Sequence, residues 1–171
     1  MASIATRPAR PEDANLVHAL YRATPGYFDV ISIPVPTLEE VRTEIEAAER
    51  DERRRIELVL ESERPPLDEA DACYDPVSRC WMVAYLDYKI DYPEAGDATV
   101  NLLLVHGALQ DRGIGRLAVC DLERRLTGSV RRVLASIYGR NPAARRFWEG
   151  LGYVFAIDAR PILDWYSKTL E

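Results

Sequence analysis

The sequence predicts an α/β sandwich built on a mixed, mostly antiparallel sheet, and three observations carry that prediction. Apolar β-branched runs alternate with amphipathic stretches along all 171 residues. One strand passes through a glycine turn into a helix and then into another strand, a single βαβ crossover centred on Gly115. Two short strands close the chain as a hairpin.

The elements follow in order. Ile4 to Arg7 reads as a first strand. Pro11-Glu12-Asp13 opens a helix with acids near its positive end, and Ala14, Val17, Leu20, Tyr21 and Thr24 share its buried face. Pro25-Gly26 should stop it, leaving Tyr27 to Pro36 as a loop. Thr37-Leu38-Glu39-Glu40 is a capping-box signature for a second helix, with Leu38, Val41, Ile45 and Ala48 as its apolar stripe and a solvated charged face. Ile56 to Leu60 is the second strand. Ser62 to Arg79 is long and polar for a loop; a hairpin tip, an inserted helix and part of a substrate lid are all open. Trp81 to Tyr92 is a long third strand. The turn Pro93 to Asp97 returns the chain antiparallel into the fourth, Ala98 to Val105, whose near-continuous apolar run suits the centre of a sheet.

The helix after this strand carries Ile114, Leu117, Ala118, Leu122 and Leu126 on one face, and Gly128 ends it. Val130 to Tyr138 is a fifth strand. Asn141 caps a further helix with Pro142 at its first position; Ala144, Phe147, Trp148 and Leu151 face inward and Gly152 terminates it. Tyr153 to Ile157 and Ile162 to Thr169 form the closing hairpin.

Composition narrows the function. The length suits one domain, 1–171, and 47% hydrophobic residues suffice for a packed core. A formal charge of −6 argues against nucleic acid and anionic membrane as partners. No apolar run reaches transmembrane length and no secretory segment is evident, so a cytoplasmic protein is expected. Cys73, Cys80 and Cys120 form no metal or CxxC pattern, no metal is expected, and a Cys73–Cys80 disulfide is disfavoured. Cys120 reads as a small interior or boundary residue.

The strand–turn–helix junction is the chemical centre. The first turn of a helix presents unpaired N–H groups and the positive end of its dipole, glycines admit a bulky anion, and Arg112 and Arg116 add charge. Three readings compete. Gly113-Ile114-Gly115-Arg116-Leu117-Ala118 fits a dinucleotide fingerprint, but the next strand offers no carboxylate for a ribose. A P-loop needs Lys-Ser/Thr after the second glycine and fails. The third is a coenzyme A site.

That third reading rests on a resemblance. Gln110-Asp111-Arg112-Gly113-Ile114-Gly115 resembles the Q/R-x-x-G-x-G/A signature of the GNAT acyltransferases. Asn141 through Tyr153 resembles the family's N-x-x-A-x-x-x-Y-x-x-x-G-F, and Arg7 through Asp13 its first strand and turn. The matches stand in the family's order and span nearly the whole chain. The resemblance implies a GNAT-like three-layer α/β/α sandwich whose sheet splays between the fourth and fifth strands, acetyl-CoA as co-substrate, and a small-molecule or peptide primary amine as acceptor. It also implies a homodimer as one arrangement. By carry-over, the backbone at Leu104, Val105 and His106 would meet the thioester and pantetheine. Gln110, Asp111, Arg112, Gly113, Ile114, Gly115 and Arg116 would hold the pyrophosphate. Asn141 would bond the pantetheine arm, and Ala144, Phe147 and Trp148 would line the tunnel.

Catalysis departs from the family pattern. A lysine-like amine is neutral in roughly 0.04% of molecules at pH 7, so it needs a base. The family's Glu near Thr99 is missing, and that face carries Thr99, Asn101, Leu103 and Val105. A base must act through water held by Asn101, or come from Asp87 or Asp91; His106 is weighed as a base against a plain turn residue. Trp148 stands where the family has a thiolate-protonating Tyr, and indole cannot act as that acid. Tyr138 and Tyr153 are the substitutes, each weighed against simple packing. The expected activity is direct acetyl transfer to an amine; the alternative is a non-catalytic acyl-CoA-binding or regulatory module. The expected acceptor pocket combines Tyr27, Phe28, the Asp71–Asp75 stretch and the third strand.

Overall fold

The computed structural model describes residues 4–63, 67, 70–160 and 163–170. The strands are β1 (Ile4–Pro8), β2 (Arg54–Glu61), β3 (Tyr74–Asp75), β4 (Cys80–Ile90), β5 (Asp97–Val105), β6 (Arg132–Tyr138), β7 (Val154–Arg160) and β8 (Leu163–Thr169). The helices are α1 (Ala14–Arg22), α2 (Pro25–Ile31), α3 (Leu38–Arg50), α4 (Ile114–Leu126) and α5 (Pro142–Glu149), with short 3-10 turns ahead of α1 and α4.

The sheet runs β1-β2-β4-β5-β6-β8-β7, with β3 paired to β4 off this path. Among these pairs only β5–β6 is parallel, because α4 carries the chain back over the sheet between them. The fold is the expected mixed α/β sandwich. Val17, Leu20, Tyr21, Val41 and Ile45 of α1 and α3 bury against Leu58, Met82 and Tyr85 of the sheet. Ile114 and Ala118 of α4 pack on Val59, Val83 and Ala84, while Val119, Leu122 and Trp148 join α4 and α5 to Val100 and Val133.

Local signals account for most elements. Thr37 accepts from the Glu40 amide, and the Glu40 carboxylate accepts from the Thr37 amide, so the capping box forms as read. Asn141 Oδ1 accepts from the Ala144 amide at 2.9 Å and Pro142 sits at the first position of α5. Gly152, at φ 87°, closes that helix in the left-handed region where glycine carries no steric penalty.

Three details depart from the reading, and one open alternative is met. Pro25 starts a helix instead of ending one: α1 closes at Arg22, and Pro25 is the first residue of α2. The Ser62–Arg79 stretch ends in an antiparallel hairpin of β3 with β4, with its tip at 76–79, and part of the stretch lies outside the described residues. On α4, Leu117 is exposed and Val119 takes its buried place, because α5 covers the neighbouring flank. Cys120 is exposed, not interior. All three cysteines are free thiols. Among the described residues no helix is long and apolar enough to cross a membrane.

The β5–β6 pairing sets up the site. Its register covers Asp97–Arg132 through Val100–Ala135 and stops there, although both strands continue. The strands therefore part as a wedge. Its closed end is held by Asp97, fully buried, whose carboxylate accepts from Arg132 Nη2 at 2.6 Å and from Arg131 Nε at 3.1 Å. Burial would raise that carboxyl, but the two guanidinium groups outweigh it and hold it below its ordinary value.

Candidate functional site

The wedge opens into a cavity of about 620 Å³. Asn101 to Val105 of β5 form one wall, Ser136 to Tyr138 of β6 the other, and the α4 N-terminus and α5 complete it. Backbone alternation decides what the β5 wall offers. The His106 amide donates to Val83 O at 2.9 Å, within the sheet, whereas Val105 O turns away from β4 and accepts from Gln110 Nε2 at 3.2 Å. Successive peptide groups point to opposite sides of a strand, so the Leu103 and Val105 groups face the gap and those of Leu104 and His106 do not. Of the three backbone positions named from the resemblance, Val105 faces the gap, as does Leu103, while Leu104 faces β4 and the His106 amide bonds to β4 as its carbonyl accepts from the Leu109 amide. The His106 side chain is also turned away: Nδ1 accepts from the Ala108 amide and the ring lines neither cavity described here, which removes it as a base.

At the mouth, Gly113 is the N-cap of α4 with φ 83°, a conformation other residues adopt only with strain. No side chain caps this helix, so the first-turn amides of Ile114, Gly115 and Arg116 are left for a ligand. Gly115 lets the helix pass close to α5: a Cβ there would lie 3.2 Å from the Phe147 ring, which would have to shift by a few tenths of an ångström. Arg112 and Arg116 are exposed and pair with no carboxylate among the described residues. The arrangement can hold a diphosphate by backbone donors, helix dipole and two cations. Gln110, Asp111, Asn141, Ala144, Phe147 and Trp148 all line the cavity. Asn141 does so while capping α5. The next strand, β6, ends in Ser136-Ile137-Tyr138, without the acid a dinucleotide site requires.

A second cavity of about 290 Å³ adjoins the first, with Tyr27, Asn101, Leu102 and Tyr138 common to both. Its walls are Tyr21, Phe28 and Ile31 beside those residues, and its charged groups are Glu44, Arg54 and Asp87. Arg54 donates to Asp87 through Nε at 3.1 Å and Nη2 at 2.5 Å, and to Glu44 at 2.8 Å. Asn101 Nδ2 donates to Asp87 Oδ1 at 3.3 Å. A bulge sets this meeting: Asp87 pairs with Leu102 and Tyr88 with Val100, so Asn101 is the extra residue and its side chain shares the Asp87 face. Two carboxylates against one guanidinium leave the pocket one negative charge in excess.

The expected site residues sort accordingly. Asn101 and Tyr138 stand where the two cavities meet. Tyr138 is 41% exposed, and burial followed by the nearby Asp87 charge raises its phenol, so it is protonated at neutral pH. Tyr153 does not reach either cavity. It is buried behind Trp148, ring centroids 4.8 Å apart, where burial and then Glu123 push its phenol far up; it is a packing residue, and its catalytic assignment is withdrawn. Asp91 is a turn residue accepting from the Gly96 amide. Asp71–Asp75 line neither cavity: Asp75 caps its own turn and Asp71 faces His106. Sequence reading missed Arg54, Glu44 and Tyr21, which come from three different elements and carry no local motif.

No protein-family model matches the sequence. No curated protein matches it either. Solved structures do. An acetyltransferase from Thermus thermophilus is 35% identical with TM-score 0.84, the match covering 99% of this chain and 100% of that one. An acetyltransferase of the GNAT family from Streptococcus pneumoniae is 16% identical with TM-score 0.65, over 99% of this chain and 100% of that one. Spermidine N-acetyltransferase from Vibrio cholerae, solved with CoA and spermine, is 13% identical with TM-score 0.71, over 97% and 95%. The last two likenesses speak for the fold. The first, at higher identity over the whole length, joins the glycine-capped helix and the splayed strands to a lineage: the chain belongs to the GNAT family of acetyltransferases.

Proposed function

We propose that the protein transfers an acetyl group from acetyl-CoA directly to the primary amine of a small cationic molecule or a peptide. The observation that carries this is the meeting of the two cavities at Asn101 and Tyr138, one ending in a diphosphate cradle and the other in an acidic, aromatic pocket. In this reading the diphosphate lies on the amides of 113–116 with Arg112 and Arg116 beside it. The pantetheine arm follows Asn141 and the gap-facing peptide groups of Leu103 and Val105, and Phe147 and Trp148 flank it. The thioester then reaches the junction.

Asp87 is the carboxylate that meets the incoming ammonium and takes its proton, with Asn101 and Arg54 fixing its orientation. The neutral amine attacks the thioester carbon, the C–S bond breaks and the phenol of Tyr138 gives its proton to the departing thiolate; the second proton of the attacking nitrogen then restores the phenol, and Asp87 releases its own to solvent. The excess negative charge and the rings of Tyr21, Tyr27, Phe28 and Tyr138 favour an acceptor with a second cationic or apolar arm over one bearing a carboxylate.

The test is thiol release from acetyl-CoA over a panel of amines that differ in charge at matched size. Turnover with cationic amines at least tenfold above their carboxylate-bearing analogues is expected. The Trp148 substitution favours one other reading, a module that binds acyl-CoA without turning it over. Coenzyme binding with no thiol release for any amine would establish that reading and overturn ours.

A further inference from the structure

Outside both cavities, three metal-ligating side chains converge. The ligand atoms of Asp71, Cys73 and His106 lie within 4.8 Å of one another. Cys73 is buried and His106 is 4% exposed. His106 Nε2 points into this cluster and has no hydrogen-bond partner. Asp71 Oδ2 is 3.6 Å from it, too far for a hydrogen bond. That separation matches the ligand–ligand edge of a tetrahedral site with zinc bond lengths, about 3.3–3.8 Å.

The donor set is one sulfur, one imidazole nitrogen and one carboxylate oxygen, the mixture suited to a borderline-soft divalent ion. The carboxylate is already oriented: Asp71 Oδ1 accepts from the Cys73 amide at 2.8 Å, which leaves Oδ2 toward the imidazole. We propose that Asp71, Cys73 and His106 form a zinc site, with a water in the fourth position. It would tie the 70–75 segment to the end of β5, from which the diphosphate loop departs.

Binding requires two proton movements. In the metal-free chain Nδ1 of His106 accepts from the Ala108 amide at 3.2 Å, so Nε2 carries the ring proton. With the ion on Nε2 that proton moves to Nδ1, and the Ala108 amide, on an exposed residue, turns to water. The Cys73 thiol, raised to about 12 chiefly by burial and then by Asp71, gives up its proton to solvent. One proton leaves per ion bound, and affinity rises with pH. None of this depends on the acyl-transfer reading.

The test uses the full-length metal-free protein and cobalt(II) as a spectroscopic probe for zinc. A thiolate-to-cobalt charge-transfer band together with tetrahedral d–d bands is expected at one ion per chain, with zinc displacing the cobalt. Cys73→Ser should abolish the charge-transfer band and weaken zinc at least about 100-fold, since even changes beyond the direct ligands cost up to that much. Cys120→Ser, which alters an exposed free thiol, should change neither. In a second measurement zinc, and not magnesium, should raise the melting temperature of the wild type but not of His106→Gln. No cobalt band, an octahedral spectrum, a band that survives Cys73→Ser, or equal shifts with zinc in wild type and His106→Gln would overturn the proposal.

Discussion

Replacing Asp97 with asparagine tests the architecture of the wedge. Asp97 is fully buried at the closed end of the β5–β6 pair and receives hydrogen bonds from Arg132 at 2.6 and 3.2 Å and from Arg131 at 3.1 Å. Removing one member of a buried ion pair costs about 3–5 kcal/mol. Both arginines reach solvent here, so they rehydrate when the charge is lost, and the low end, about 3 kcal/mol, applies. A domain of this size loses about 2–4 °C of melting temperature per kcal/mol, which gives a drop of about 6–12 °C. The sign with pH follows from the depressed native carboxyl. Its contribution is complete above the unfolded value of about 3.9 and disappears as pH falls through the lower native value. Urea unfolding of wild type and Asp97→Asn from neutral pH downward should therefore show a stability gap that closes only in acid. A melting temperature within about 2 °C of wild type at neutral pH, below the smallest shift expected per kcal/mol, or a gap unchanged throughout the acid range, would refute the reasoning.

Other outcomes follow from the same geometry. Arg112→Gln and Arg116→Gln should each weaken coenzyme A about 3- to 10-fold in titration calorimetry, less at high salt, with unchanged melting, since both side chains are exposed. Gly113→Ala has open space around its new methyl but keeps a positive φ, so it should lower stability by about 1–2 kcal/mol in chemical denaturation. Asp87→Asn and Tyr138→Phe should each lower kcat about 100-fold or more while acetyl-CoA affinity stays within about 2-fold, as read by steady-state kinetics and calorimetry.

Much of this was legible in the sequence because its signals are local. The capping box at Thr37, the Asn141-Pro142 helix start and the glycine-capped α4 need only a few adjacent residues. The βαβ unit was legible because helix and strand periods differ. What stayed hidden depends on register or on distant partners. Asn101 and Asp87 meet because a bulge shifts the β4–β5 register, which strict alternation cannot show. Pro25 reads as a stop but acts as a start, since proline suits the first turn of a helix as well as a break. Tyr138 and Tyr153 look equivalent in sequence, yet one lines the junction and the other is packed under Trp148. Arg54 is one arginine in a charged run, and only the fold sets it against Glu44 and Asp87.

The measurement that bears most directly on the account is thermal unfolding with acetyl-CoA, free coenzyme A and NAD, each at about 100 times the concentration that half-saturates a specific site. Occupancy at that level stabilises by about 2.7 kcal/mol, or about 5–10 °C here. The wedge and the uncapped α4 predict a shift of that size with both coenzyme A species and none with NAD. No shift with coenzyme A, or one with NAD alone, would contradict the diphosphate cradle and with it the proposed reaction.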